Sequence, residues 1–291
     1  MTKATFLALP LIAIIGVGIS YLISPLHTFN ALVPKDNGSR QAAEGIAYGD
    51  HQRQQLDIFT PHEPADGPRP VIVWFYGGSW NSGSRDGYAF AGRALAARGF
   101  VTVVADYRLV PEVRFPGFVE DGAQAVRWVR ENIHAHGGDG ERIVVAGHSA
   151  GAYIAAMLAN DPQWLGEDRE ALAGMVGLAG PYDFYPFDTS STVEAFGEWH
   201  EPEATQPVTF ADGTAPPALL LTGEDDTTVK PRNSEALSAR LDGAGVDAEL
   251  VRYEGVDHID IVIALSRPLR GRATVLDDLS DFARQVTGRV Q

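Results

Sequence analysis

From about residue 45 onward, apolar and polar positions follow two alternating rhythms. Residues 71–76 form a continuous apolar run, and the largely apolar stretches 100–105, 142–146, 175–179 and 217–222 have the same length, as expected of strands buried on both faces. More mixed stretches at 46–48, 55–59 and 248–253 read as further strands, bounded by proline- and glycine-rich turns. Between them the spacing turns helical. Residues 118–134 place Ala125, Trp128, Val129 and Ile133 on one face, and 88–98, 150–160, 233–241 and 276–286 also read as helices. Strand and helix in alternation predict a single mostly parallel sheet with helices on both faces.

Two stretches break this rhythm. Residues 6–23 carry no charge and are built from Leu, Ile, Ala, Val and Gly, which is near the lower limit for spanning a bilayer. Residues 1–30 are therefore expected to be a membrane anchor or an export signal. An uncleaved anchor is favoured, because Tyr21-Leu22-Ile23-Ser24-Pro25 is too bulky for a signal-cleavage site. Lys3 and the α-amine would stay in the cytoplasm, with the following domain on the periplasmic or extracellular side; a cleaved signal would secrete it. Residues 31–44, with Pro34 and a polar run, read as a linker, and 45–291 as one domain. The second break, 181–214, has no clear period and is rich in aromatics and acids.

Composition narrows the partners. A net charge of -15 disfavours nucleic acid and anionic membrane surfaces and suits a small neutral substrate. With no cysteine in the chain, disulfides, thiolate zinc sites and cysteine nucleophiles are excluded.

The chemistry concentrates after the strands. Gly147-His148-Ser149-Ala150-Gly151 joins an apolar strand run to an alanine-rich helix. That order, strand then Gly-x-Ser-x-Gly then helix, is the sharp turn that presents a nucleophilic serine. A serine hydroxyl needs a base, and the base needs an orienting carboxylate. Of eight histidines, His258 alone lies beyond residue 200, on a loop after the last strand. The carboxylate is sought in Gly223-Glu224-Asp225-Asp226-Thr227, with Asp226 preferred and Asp225 next. Developing negative charge needs backbone N–H donors. Ala150 supplies one, and the glycine-rich turn after residue 76 supplies others, at Gly78 and Ser79. His136-Gly137-Gly138 looks similar but precedes the strand that feeds the serine, so it reads as a helix cap and turn.

Taken together, Tyr76-Gly77-Gly78-Ser79-Trp80, Asp106-Tyr107-Arg108-Leu109 with Pro111, and Gly147-His148-Ser149-Ala150-Gly151 resemble the α/β-hydrolase superfamily. The likeness is to carboxylesterases of the hormone-sensitive-lipase and BD-FAE-like (feruloyl-esterase-like) groups. It implies the α/β-hydrolase fold with a small cap insertion at 181–214. It also implies a serine carboxylic-ester hydrolase that works through an acyl-enzyme on a small neutral ester, with no metal or cofactor. Ser149, His258 and Asp226 would be the catalytic residues, with Gly78, Ser79 and Ala150 as the oxyanion hole. Asp106, Tyr107 and Arg108 would support the loops. Tyr76 stands where these families usually carry histidine. The Gly-His-Ser-Ala-Gly core is shared with kynurenine-formamidase-like enzymes, so amide or formamide hydrolysis is the alternative. A non-catalytic binding module is the more distant one, since such modules typically lose the serine or the histidine.

Overall fold

The computed structural model describes residues 25–288, and an eight-stranded sheet runs through it. Its strands are β1 (Ser39–Ala47), β2 (Gln55–Pro61), β3 (Arg69–Phe75), β4 (Val101–Ala105), β5 (Gly138–His148), β6 (Leu172–Leu178), β7 (Ala218–Gly223) and β8 (Ala248–Tyr253). They lie in the order β1-β2-β4-β3-β5-β6-β7-β8. β2 pairs antiparallel with β1 and β4, and all other neighbours are parallel. The continuous apolar runs occupy the middle of the sheet, where both faces are covered.

Helices α1 (Pro25–Leu32), α2 (Ala89–Ala96), α3 (Gly117–Asn132), α4 (Ala150–Asn160), α5 (Ser190–Phe196), α6 (Arg232–Gly243) and α7 (Val275–Thr287) surround it. α3 packs on α4 along one face and α2 on α7 along the other, so the expected two-faced α/β arrangement is present. Because β4 lies on one side of β3 and β5 on the other, the loops leaving β3 and β5 diverge at the C-terminal edge. A crevice opens between them, the usual ligand position in an open α/β sheet.

Residues 31–44, read from the sequence as a linker, are instead part of the folded unit. α1 sets Phe29 edge-on against Phe90 with ring centroids 5.2 Å apart. Val33 is buried in the core. Asp36 accepts a 2.6 Å bond from Arg270 Nη2, and Ser39 Oγ donates to the Arg93 carbonyl at 2.7 Å. From Ser39 the chain is strand β1. This strand sits at the sheet edge with most residues partly or fully exposed, so its polar composition hid it. The anchor-or-signal reading of residues 1–30 lies outside the described residues except for the first turns of α1. Among the described residues no helix is long and apolar enough to cross a membrane.

The 181–214 stretch is packed against the domain rather than looping freely. Phe184 and Phe196 join Trp80, Phe118 and Tyr153 in one cluster of ring contacts. Side-chain oxygens hold its irregular backbone: Asn233 Oδ1 accepts from Tyr182 and Asp183 N–H, and Gln206 Oε1 from Phe184 and Tyr185 N–H.

Folded backbone resists proteases, whereas linkers are cut first. Brief trypsin digestion of the native chain is therefore expected to spare Lys35 and Arg40. Rapid cleavage at either site, read by mass spectrometry, would restore the linker reading.

Candidate active site

The turn between β5 and α4 is tight because two segments of main chain touch there. A Cβ at Gly151 would lie 2.1 Å from the Phe75 carbonyl oxygen and 2.6 Å from that of Tyr76. One at Gly147 would lie 2.4 Å from the Gly151 carbonyl carbon. Only glycine fits either position, and the intervening Ser149 takes φ 55°, ψ −122°, outside the regions a side chain favours. The strain holds Oγ at the head of α4, facing the crevice.

β7 and β8 end beside this serine, and their turns are tied together. The Asp225 N–H donates to the Val256 carbonyl at 3.1 Å, and the Glu224 N–H to Tyr253 at 3.0 Å. Of the three acids in the turn, Glu224 and Asp225 are exposed, while Asp226 is buried. Asp226 Oδ1 accepts the N–H groups of Thr228 and Val229, both at 2.8 Å, which aims Oδ2 at His258 Nδ1, 2.7 Å away. An ionised carboxylate only accepts, so Nδ1 carries the proton and Nε2 is left as an acceptor. Nε2 lies 3.0 Å from Ser149 Oγ. The structure thus joins Ser149, His258 and Asp226 in one line and leaves Asp225 out of it.

The loop after β3 forms the opposite wall. Gly78 has φ 144°, and Ser79 and Trp80 follow at φ 52° and 60°. Two left-handed non-glycine residues in succession turn this loop toward the serine, and Ser79 borders the cavities on both sides of Ser149. Ala150 is the first residue of α4, so its N–H has no acceptor one turn back in the helix and points toward the same space.

Sequence reasoning left the consequence of Tyr76 open. The side chain is buried, stacked on Tyr107 at 4.7 Å, and its hydroxyl accepts a 2.6 Å bond from Arg53 Nη2. The same guanidinium donates to the carbonyls of Gly83 and Tyr107, at 2.8 and 2.9 Å. Tyr107 in turn donates its hydroxyl to the Tyr76 carbonyl at 2.8 Å. Arg53 therefore clamps the loop after β3 from outside, a role with no local signal in the sequence. Asp106 accepts the backbone N–H and the guanidinium of Arg85, and Asp121 accepts those of Arg108. His136 ends a 3₁₀ turn (Ile133–His136) capped by Gly137 at φ 78°, and Gly138 opens β5, so this segment lies at the opposite end of that strand from Ser149.

His148 was also missed. It is almost fully buried, and its Nε2 donates to the carbonyl of His258 at 2.9 Å, tying the serine turn to the histidine turn. Nδ1 is buried with no partner. Burial, and secondarily the adjacent His258, hold the His148 imidazole well below its ordinary range, so it stays neutral.

Two cavities flank Ser149. One, of about 310 Å³, is bordered by Trp80, Phe184, Asp188, Thr189, Lys230 and Arg232. The other, of about 300 Å³, is bordered by Leu26, Gly78, Tyr88, His258 and Ile259. Of the aromatics in 181–214, Phe184 reaches the first cavity, while Tyr182 and Phe196 are core. Among the described residues no group of three or more metal-ligating side chains comes together.

A family model described as BD-FAE matches residues 56–241. The isoprenylcysteine α-carbonyl methylesterase ICME of Arabidopsis thaliana is 32% identical over 266 residues, covering 83% of this chain and 62% of that protein. The chain spans 62–63% of the length of the first three curated relatives it matches. The carboxylesterase NlhH of Mycobacterium tuberculosis is 33% identical, covering 70% of each chain. In fold, a truncated carbohydrate esterase from gut microbiota superposes with a TM-score of 0.77 at 21% identity, over 88% of this chain and all of that one.

Two outcomes follow from the bracing residues. Tyr76→Phe keeps the ring stack but removes an acceptor from Arg53; a charge-assisted bond of roughly 1.5 kcal/mol translates to about a tenfold fall in kcat. An unchanged kcat would show that Arg53 braces nothing the reaction uses. For His148 the folded value is depressed, so below about pH 6.5 the unfolded chain binds a proton that the folded chain refuses. Its stability contribution is full above that pH and lost as pH falls toward the folded value. Tm between pH 7.5 and 5 should drop more steeply for wild type than for His148→Gln. Parallel curves would exclude this contribution.

Proposed function

We propose, from the premise that this chain belongs to the BD-FAE family, that it is a serine carboxylesterase in which Ser149 is the nucleophile, His258 the base and Asp226 the orienting acid. The observation that carries the reading is the continuous line Asp226–His258–Ser149, with bonds of 2.7 and 3.0 Å, at the mouth of two cavities.

In this reading Ser149 Oγ attacks the ester carbonyl carbon as its proton passes to His258 Nε2. The carbonyl oxygen becomes an oxyanion and accepts hydrogen bonds from the N–H groups of Gly78, Ser79 and Ala150. These donors stand in place before the charge appears, so little reorganisation is needed when it does. His258 then protonates the departing alkoxide, leaving an acyl group on Ser149. Water, deprotonated by the same nitrogen, releases the carboxylic acid and restores the serine. Asp226 stays ionised throughout and stabilises the imidazolium. Relatives that are esterases by name favour ester over amide bonds.

The apolar run at residues 6–23 supports an anchor or export signal in front of the enzyme, with the catalytic unit on the exported side.

Ser149→Ala is expected to fold as wild type, lose fluorophosphonate labelling and lose about 10⁴- to 10⁶-fold in kcat on a p-nitrophenyl ester. Asp226→Asn should lose about 10⁴-fold, and Asp225→Asn little. Full activity in Ser149→Ala would sink the assignment, and a severe loss in Asp225→Asn alone would move the acid.

A further inference from the structure

The two cavities beside Ser149 differ in chemistry. The one lined by Asp188, Lys230 and Arg232 carries charge of both signs. The one next to His258 has no Asp, Glu, Lys or Arg in its wall, in a chain that is 21% charged. Leu26, Tyr88, Ile259 and glycine backbone supply its apolar wall, and its remaining polar side chains are the uncharged hydroxyls of Ser79, Ser82, Ser149 and Thr228 and the His148 ring beside His258. Ile259 is 47% exposed, one of four large hydrophobic side chains so exposed among the described residues, and it directly follows His258.

Leu26 reaches this cavity from α1, a helix outside the strand-helix alternation, and α1 is fastened to the rim. Asn30 Oδ1 accepts the Phe90 N–H at 2.9 Å, and Asn30 Nδ2 donates to the Asp86 carbonyl at 2.6 Å. His27 Nε2 bonds to Ser84 Oγ, and Phe29 packs on Phe90. A surface helix held by four such contacts, with a leucine turned into the cleft, forms one wall of the site.

His258 fixes which half of an ester enters here. The leaving oxygen must come within reach of Nε2 to be protonated, so the alcohol half lies on the side that His258 borders. We infer that the cavity between α1 and His258 is a subsite for the alcohol half of the substrate, that it takes a hydrocarbon alcohol, and that Leu26 sets this preference. The inference rests on the esterase reading above. At ~30 Å³ for each water-sized group, the cavity holds roughly ten such groups, which suits a chain of medium length.

The test uses the full chain in detergent micelles and two substrate series: acetates of ethanol, butanol and octanol, and ethyl esters of acetic, butyric and octanoic acid. Released acid is followed by titration. In wild type, kcat/KM should rise roughly tenfold or more from ethyl to octyl acetate, as methylenes leave water. Leu26→Glu should cut the octyl-to-ethyl ratio about tenfold and leave the ratio within the acid series within twofold. Leu26→Ala, a milder change, should cut the alcohol ratio about threefold and carries the same readout if the glutamate variant does not fold. A flat alcohol series in wild type, or a Leu26 effect on the acid series instead, overturns the inference while the enzyme remains an esterase. Wild type that neither labels with fluorophosphonate nor hydrolyses ethyl acetate overturns the esterase reading itself.

Discussion

The site depends on one contact between main chains: the head of α4 pressed against the carbonyl end of β3. Gly151 meets the carbonyls of Phe75 and Tyr76 with no space for a methyl group. That approach forces the positive φ of Ser149, brings the first turn of α4 beside the loop at residues 77–80, and brings its free N–H groups within reach of the loop's own. If the two segments stood further apart, Ser149 would relax and the donors would separate. The local strain is carried by the sheet, where β3 and β5 pair along most of their length and fix the spacing of the loops that leave them.

A second layer of polar contacts keeps the loops where the sheet puts them. Asp226 is aimed by two backbone N–H groups, His258 is tied through its carbonyl to His148, and Tyr76 is gripped by Arg53. In the last two cases a buried polar group is paired with a neighbour whose position is set by a different element, while Asp226 is fixed within its own turn. Such pairs are costly to break in a dry interior, which is why they fix geometry as well as add stability. The chain carries excess negative charge, yet Arg53, Arg85 and Arg108 are each matched to acids or carbonyls around these loops.

Much of this is legible in the residues because it rests on rules with few exceptions. Gly147 and Gly151 announce a turn that no other residue permits, and buried strands such as 71–76 announce themselves by having no polar position. The rest depends on distance. Glu224, Asp225 and Asp226 are chemically alike in one turn, and only the fold decides that the third is buried against His258. Tyr76 and Arg53 are 23 residues apart in sequence and meet only because their loops share an edge. All of β1 but its last residues escapes notice because a solvent-facing edge strand needs polar side chains, and α1 because its eight residues are too few for a clear period.

One feature of the cleft bears on handling the protein. The chain has three lysines: Lys3, Lys35 and Lys230. The amine of Lys35 is engaged by the carbonyls of Asn30 and Val33, whereas Lys230 is exposed on the border of the charged cavity. Reagents that couple to amines, whether to attach a dye, a bead or a surface, therefore have one of their few targets at the entrance to the cavity that Ser149 borders. Immobilisation by that chemistry would tether the molecule by its mouth, and a tag placed elsewhere is the sounder way to hold it.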